Sequence, residues 1–258
     1  MNDSEPRNHV LDIAKQLGIS VVEIPKLDTE KSPDFEFYCG DECTLVELKS
    51  RISEWNLTKS EIRILDTGGV VDRHESIGPH STISGRISDA TNQLSEFQTE
   101  RHTFRLIWYF IHGHFSELAA DRVRATLLGD ITVYESDSER QWRAYFFDHS
   151  QFFRHREVLD GAIVSSMTEK NRISVQLILN PLSPRYDLFR YSNLYHILSA
   201  GVLNPLTEED TLVLGADANR DLEQDKLDYL ALKHGINNPY IIRMGHIAAM
   251  ARSIKSPR

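Results

Sequence analysis

The sequence predicts an α/β fold with a mixed β-sheet. Short apolar and β-branched segments alternate with segments in which apolar residues recur every three or four positions, which indicates alternating strands and helices. Residues 103–111 (TFRLIWYFI) are apolar almost throughout, which is typical of a strand buried on both faces. The 258 residues, 40% of them hydrophobic, are enough to bury a core without disulfides or metals.

The first part of the chain predicts the order α-β-β-β-α-β. A tight turn around Gly40 separates the second and third strands, so we expect them to form an antiparallel hairpin. The glycines and charges between the third strand and the second helix predict a long irregular insertion. The predicted elements are a helix at 7–17, strands at 19–24, 33–38 and 44–49, an insertion at 50–83, a helix at 85–97 and a strand at 103–111.

The second part of the chain again alternates between strands and helices. We therefore predict two domains, 1–115 and an α/β extension at 116–258, although the sequence has no clean linker between them. The predicted elements of the extension are helices at 116–127, 187–199 and 222–232, with strands at 130–135, 142–147, 173–179, 211–216 and 240–244.

Composition limits the class of protein. No apolar run reaches the ~18 residues of a membrane span, and the polar N-terminus does not resemble a secretory signal. The two cysteines, Cys39 and Cys43, fit free thiols in a reducing cytoplasm, where we expect the protein to be located. The net charge of −9 argues against a protein that coats nucleic acid through positive charge alone.

Three charged residues in the predicted hairpin suggest a catalytic metal site. Side chains alternate along a strand, so Glu47 and Lys49 share one face, and the hairpin brings Asp34 within reach of the same ion. Two carboxylates with backbone and water oxygens suit Mg²⁺, with Mn²⁺ as an alternative. Lys49 would orient or deprotonate a water, or stabilise charge on a phosphate, so the pattern indicates phosphodiester hydrolysis.

Pro33-Asp34 followed by Glu47-Leu48-Lys49 resembles the PD-(D/E)xK nuclease superfamily, which has the restriction-endonuclease-like fold. The order of elements over residues 7–111 is similar too. The helix containing residues 88–97 resembles the superfamily helix that often carries a Gln or Lys facing the metal, and Gln93 is the matching position. The pattern most resembles Shedu-like antiphage nucleases. The resemblance implies a Mg²⁺-dependent endonuclease that acts on DNA, in phage defence or DNA processing.

The sequence departs from the superfamily pattern in its first helix, where many members supply an acidic ligand. Glu5 and Asp12 are the candidates here, and neither is clearly placed. Glu36 alternates onto the same strand face as Asp34, which makes it either a further ligand or a solvated surface residue. The insertion at 50–83 is also longer than compact members need.

The sequence is also compatible with other functions. The fold could serve as a nucleic-acid-binding or regulatory subunit without catalysis, and the sequence does not decide between DNA and RNA or exclude a homo-oligomer. The tripeptide Asp66-Thr67-Gly68 resembles the catalytic loop of aspartic proteases. That chemistry needs two such aspartates, and the sequence contains one copy.

Overall fold

The computed structural model describes residues 4–26, 32–53, 58–76, 78–97, 99–113, 115–136, 138–167, 172–242 and 247–253. Within these ranges the chain is an α/β protein built on a mixed seven-stranded sheet, with a second, four-stranded sheet, which confirms the predicted α/β class and mixed sheet. No helix in the described ranges is both long enough and apolar enough to cross a membrane.

The helices and strands follow one another along the chain with few long connections. The described helices are α1 (Ser4–Gln16), α2 (Lys59–Asp66), α3 (Ser81–Glu96), α4 (Ser116–Leu128), α5 (Gln151–Arg154), α6 (Tyr186–Phe189), α7 (Asn193–Ile197) and α8 (Glu223–His234). The described strands are β1 (Ser20–Glu23), β2 (Phe35–Cys39), β3 (Glu42–Ser53), β4 (Val70–Ser76), β5 (Phe104–Gly113), β6 (Ile131–Glu135), β7 (Gln141–Tyr145), β8 (Gly161–Met167), β9 (Ile173–Leu179), β10 (Val202–Leu203), β11 (Thr211–Val213), β12 (Pro239–Ile241) and β13 (Ile247–Ser253).

The large sheet has the strand order β1-β2-β3-β5-β8-β9-β10. Strands β1 to β3 form an antiparallel meander, whereas β5 runs parallel to both of its neighbours, β3 and β8. β5 is therefore the central strand, and every residue in it except Gly113 is buried. This confirms the prediction of a strand buried on both faces.

The two faces of this sheet pack against different helices. Leu45 and Tyr109 lie in one core cluster with residues of α3 and α4, including Ile87 and Val123. Val46, Trp108 and the α1 residues Val10 and Ala14 lie in the other. Alternation along β3 therefore places Glu47 and Lys49 on the α3 side.

The segment at 50–83 is more regular than the sequence suggests. β3 continues to Ser53, and α2 begins with a capping box in which Thr58 and Glu61 bond each other's backbone N–H groups. β4 pairs with β13 near the C-terminal end of the chain. A partner this distant in sequence cannot be inferred from local periodicity, which explains why β4 was not predicted.

Residues from the second half complete the first sheet. β8, which the sequence analysis missed, and β9 extend the sheet beyond β5, and the four-stranded sheet has the order β11-β7-β6-β12. The predicted helix at 187–199 is instead two short helices, α6 and α7, because Ser192 caps the start of a new helix. The domain boundary at 115/116 stays a prediction.

Candidate active site

The hairpin of β2 and β3 places Asp34 directly across from Glu47. Phe35 pairs with Val46, and the Asp34 N–H donates to the carbonyl of Val46 at 3.2 Å, so the ladder continues to this position. The Leu48 N–H then donates to Oδ2 of Asp34 at 2.9 Å. Gly40 takes the positive φ of 63° in the connecting turn, which glycine adopts without steric cost. The backbone therefore fixes the Asp34 carboxylate and places Glu47 opposite it.

Glu47 is buried beside Asp34 and Lys49. Its side chain accepts from Lys49 Nζ at 2.6 Å, and the residue is 4% exposed. Burial raises the pKa of Glu47 to about 8, and the negative charge and hydrogen bonding of Asp34 add to that rise against the opposing effect of Lys49. The register of the hairpin, in which Phe35 pairs with Val46, sets the two acidic residues opposite each other.

Gln93 on α3 reaches the same carboxylate. With its amide nitrogen toward Glu47, it donates to both carboxylate oxygens, at 3.2 Å to Oε2. The opposite orientation would set the amide oxygen against two acceptors and leave only a 3.5 Å contact with Lys49 Nζ. We therefore assign the amide as a donor to Glu47. The structure brings all four predicted site residues together.

Two cations that the sequence analysis did not select also contact Asp34. Arg7 on α1 forms an ion pair with Oδ1 of Asp34, and Lys26 Nζ lies 3.3 Å from the same oxygen. Arg7 also bonds Glu23 at 3.1 Å. The sequence could have indicated a role for Arg7, because its helical spacing with Val10 and Ala14 puts a cation on an otherwise apolar stripe of the helix.

The first helix does not supply the acidic ligand that the resemblance suggested. Asp12 is exposed on α1, with no ion pair among the described residues. The Glu5 side chain lies outside the residues whose side chains are described. In place of a carboxylate, α1 contributes Arg7 to this end of the sheet.

A second cluster of potential ligands lies further along β2 and β3. Ligand atoms of Glu36, Cys43 and His102 lie within 4.8 Å of one another, and a mixed O, S and N set is typical of zinc. Glu36 is buried, so the interpretation of a solvated residue was wrong. It accepts from Tyr38 at 2.7 Å and from His102 Nε2 at 2.9 Å, and it forms an ion pair with Arg101.

The side chains of this second cluster already form hydrogen bonds with protein groups. The Thr99 N–H donates to His102 Nδ1 at 3.1 Å, which assigns the ring proton to Nε2 and directs it at Glu36. Burial raises the pKa of the Cys43 thiol, which opposes the thiolate that a metal would need. We interpret the cluster as a polar network that fastens the β2–β3 hairpin to the segment before β5.

The aspartic-protease motif has a structural explanation. Asp66 is the last residue of α2, Thr67 is its C-cap, and Gly68 follows with a φ of 77°. The Thr67 hydroxyl donates to the carbonyl of Ile64 at 2.9 Å. Because glycine is favoured after a helix C-terminus, the tripeptide reflects the end of α2.

The donor set at Asp34 and Glu47 fits a hard divalent cation. Carboxylate oxygens are the ligands that Mg²⁺ and Mn²⁺ prefer, and Mg²⁺ retains several waters, so two protein ligands suffice. Comparisons of the chain with protein-family models, curated proteins and solved structures find no significant match. The site's own chemistry is therefore the basis for a functional proposal.

Proposed function

We propose that this protein is a metal-dependent nuclease that hydrolyses phosphodiester bonds in DNA. The observation that carries the proposal is the pairing of two buried carboxylates, Asp34 and Glu47, on adjacent strands beside Lys49. Burial and mutual repulsion make this arrangement unfavourable when both groups are charged, as the raised pKa of Glu47 records. A bound cation would offset both costs beyond what Arg7, Lys26 and Lys49 already do.

Each residue of the site would have a distinct role in phosphodiester hydrolysis. Asp34 and Glu47 would hold the cation, whose charge would polarise a water and offset negative charge on the phosphate. The Leu48 N–H fixes one oxygen of Asp34, and Gln93 fixes the carboxylate of Glu47. Lys49 Nζ, 2.6 Å from Glu47, is placed to orient a nucleophilic water or to stabilise charge on the phosphate.

The resemblance to the PD-(D/E)xK superfamily supports the same function. Asp34, Glu47 and Lys49 match its motif, and α1, β1 to β3, α3 and β5 follow one another in the order that the resemblance implies. α2 and β4 lie between β3 and α3 as an insertion. A role in phage defence is part of this proposal, and it rests on the resemblance alone.

A cleavage assay with matched variants tests the proposal. Wild type, Asp34→Asn and Lys49→Ala are incubated with DNA and RNA in Mg²⁺, Mn²⁺ or EDTA. We expect wild type to cut DNA with either metal and not in EDTA, and each variant to lose activity by about 100-fold or more. Asp12→Asn and Lys15→Ala, both exposed on α1, are the controls and should retain activity.

The outcomes separate the proposal from its alternative. Variants that cut as well as wild type would show that another site is responsible for cleavage. DNA binding without cleavage under any metal would instead favour a nuclease-like binding or regulatory subunit. Circular dichroism of each variant checks that lost activity does not come from lost folding.

A further inference from the structure

A cavity of about 190 Å³ lies close to the candidate active site, on the same face of the sheet. This volume is more than ten times the ~15 Å³ that one water molecule requires. Its lining residues are Arg51, His80, Thr82, Ile83, Arg86 and Tyr109.

The cavity adjoins the active site along three elements. Arg51 is two residues beyond Lys49 on β3, so it projects from the same face about 7 Å further along the strand. Tyr109 on β5 pairs directly with Lys49. Arg86 lies two helical turns before Gln93, on the same side of α3. The cavity and the candidate active site therefore share β3, β5 and α3 on one face of the sheet.

The cavity is positively charged. Arg51 and Arg86 form no ion pair with a carboxylate in the described part of the chain. Arg86 is held in place by a 3.1 Å bond from Nη1 to the carbonyl of Ser50. Two guanidinium groups with no carboxylate partner among the described residues favour an anionic ligand over a metal cation.

Tyr109 adds a buried hydroxyl donor. The residue is 1% exposed, and its hydroxyl proton has no acceptor among the described residues, although the Arg86 guanidinium lies against the phenol oxygen. Burial raises the pKa of Tyr109, and the nearby guanidinium of Arg86 acts in the opposite direction. A buried polar group without a partner costs free energy, so a ligand acceptor at this position would be favoured.

The first turn of α3 contributes in the same direction. Thr82 and Ile83 belong to the first turn of this 16-residue helix. The positive end of a helix dipole and free backbone N–H groups favour anions. Guanidinium, phenol and backbone N–H groups together present donors, which match the acceptor oxygens of a phosphate.

We propose that this cavity binds a backbone phosphate of the nucleic acid, adjacent to the phosphodiester held at Asp34 and Glu47. The proposal rests on the proposed function and deepens it, because it adds a contact that positions the substrate without taking part in the chemistry. Contacts of this kind set register and affinity and carry no sequence information.

DNA binding by Arg51→Gln and Tyr109→Phe tests the proposal. Affinity for a short duplex is measured by fluorescence anisotropy in EDTA across a range of salt concentrations. We expect Arg51→Gln to bind about tenfold more weakly, with the salt slope reduced by about 1, as loss of one phosphate contact predicts. Tyr109→Phe should bind several-fold more weakly without a loss of thermal stability. Arg140→Gln, an exposed arginine on the β6–β7 turn, should match wild type.

A second measurement separates this proposal from the proposed function. The thermal unfolding temperatures of wild type and Arg51→Gln are compared in inorganic phosphate and in chloride at equal ionic strength. We expect the change from chloride to phosphate to raise the unfolding temperature of wild type more than that of Arg51→Gln. If DNA is bound and cut while Arg51→Gln keeps wild-type affinity and salt slope, the phosphate site is overturned and the nuclease stands. If phosphate stabilises wild type more than Arg51→Gln but no nucleic acid is bound, the cavity binds some other phosphate. That result would overturn both the proposal of a nucleic-acid phosphate in the cavity and the proposed nuclease function.

Discussion

The charge state of Glu47 determines how the site behaves without a metal. Burial and the negative charge of Asp34 raise the pKa of its carboxyl group, and Lys49 lowers it by less. The pKa therefore rises from 4.5 to about 8. The folded protein therefore holds a proton on Glu47 at pH values where the unfolded chain has released it. This difference in proton binding links the site to the stability of the whole chain.

We predict that metal-free protein loses stability as pH rises from about 4.5 to about 8. A raised pKa in the folded state contributes stability that is complete below the unfolded value and disappears as pH passes the folded value. Each pH unit in that window costs on the order of 1 kcal/mol. Urea unfolding in EDTA measures this, and Glu47→Gln, which cannot ionise, should show a flatter profile. Parallel profiles for the two proteins would contradict the prediction.

The site residues divide into those that local rules predict and those that only the tertiary structure reveals. Strand alternation places Glu47 and Lys49 together, and the hairpin turn places Asp34 opposite them, so the sequence contains this information. Arg7 reaches Asp34 from a helix on the other face of the sheet. That contact depends on how α1 packs, which periodicity does not specify.

Individual elements depend on a few backbone positions where the chain approaches itself closely. Gly129 ends α4 with a φ of 58°, and an added Cβ would lie 2.3 Å from the carbonyl oxygen of Asp148. Gly18, after α1, has a similar φ of 73° but no atom within 4 Å of that position. A substitution at Gly18 would therefore introduce conformational strain alone, whereas one at Gly129 would add a steric clash.

We predict that Gly129→Ala destabilises the protein more than Gly18→Ala does. The left-handed conformation costs each variant about 1–2 kcal/mol, and overpacking against backbone atoms adds about 1–3 kcal/mol at Gly129 alone. Chemical denaturation of both variants measures the difference in the free energy of unfolding. Equal destabilisation would show that the chain around Asp148 moves away without cost.

Strongly patterned elements could be predicted from the sequence, and elements defined by distant partners could not. The strand at 173–179 and the helix predicted at 116–127 agree closely with β9 and α4. β8 was missed because GAIVSSM has neither alternation nor a run of large apolar residues, yet burial between β5 and β9 makes it a strand. Small residues there fit a crowded position, since a Cβ on Gly161 would lie 2.6 Å from the carbonyl of Ile178.

At the scale of the whole molecule, both halves of the chain build one sheet and share its cores. β8 pairs with β5 from Leu106 to His112, so the central strand has a partner from each half. Trp108 lies in a core cluster that also contains Ile163 and Leu177. The active-site strand β3 is therefore supported through β5 by residues far beyond the predicted boundary at 115/116.

We predict that a fragment of residues 1–115 does not fold alone. Without β8, the apolar strand β5 becomes an exposed edge, which favours aggregation, and Trp108 loses its neighbours from the second half. Near-ultraviolet circular dichroism and thermal unfolding of the fragment measure this, and co-expression with residues 116–258 is the control that should restore a folded complex. A cooperative unfolding transition of the fragment by itself would instead establish 1–115 as an autonomous domain, with the second half an addition to a sheet that is already stable.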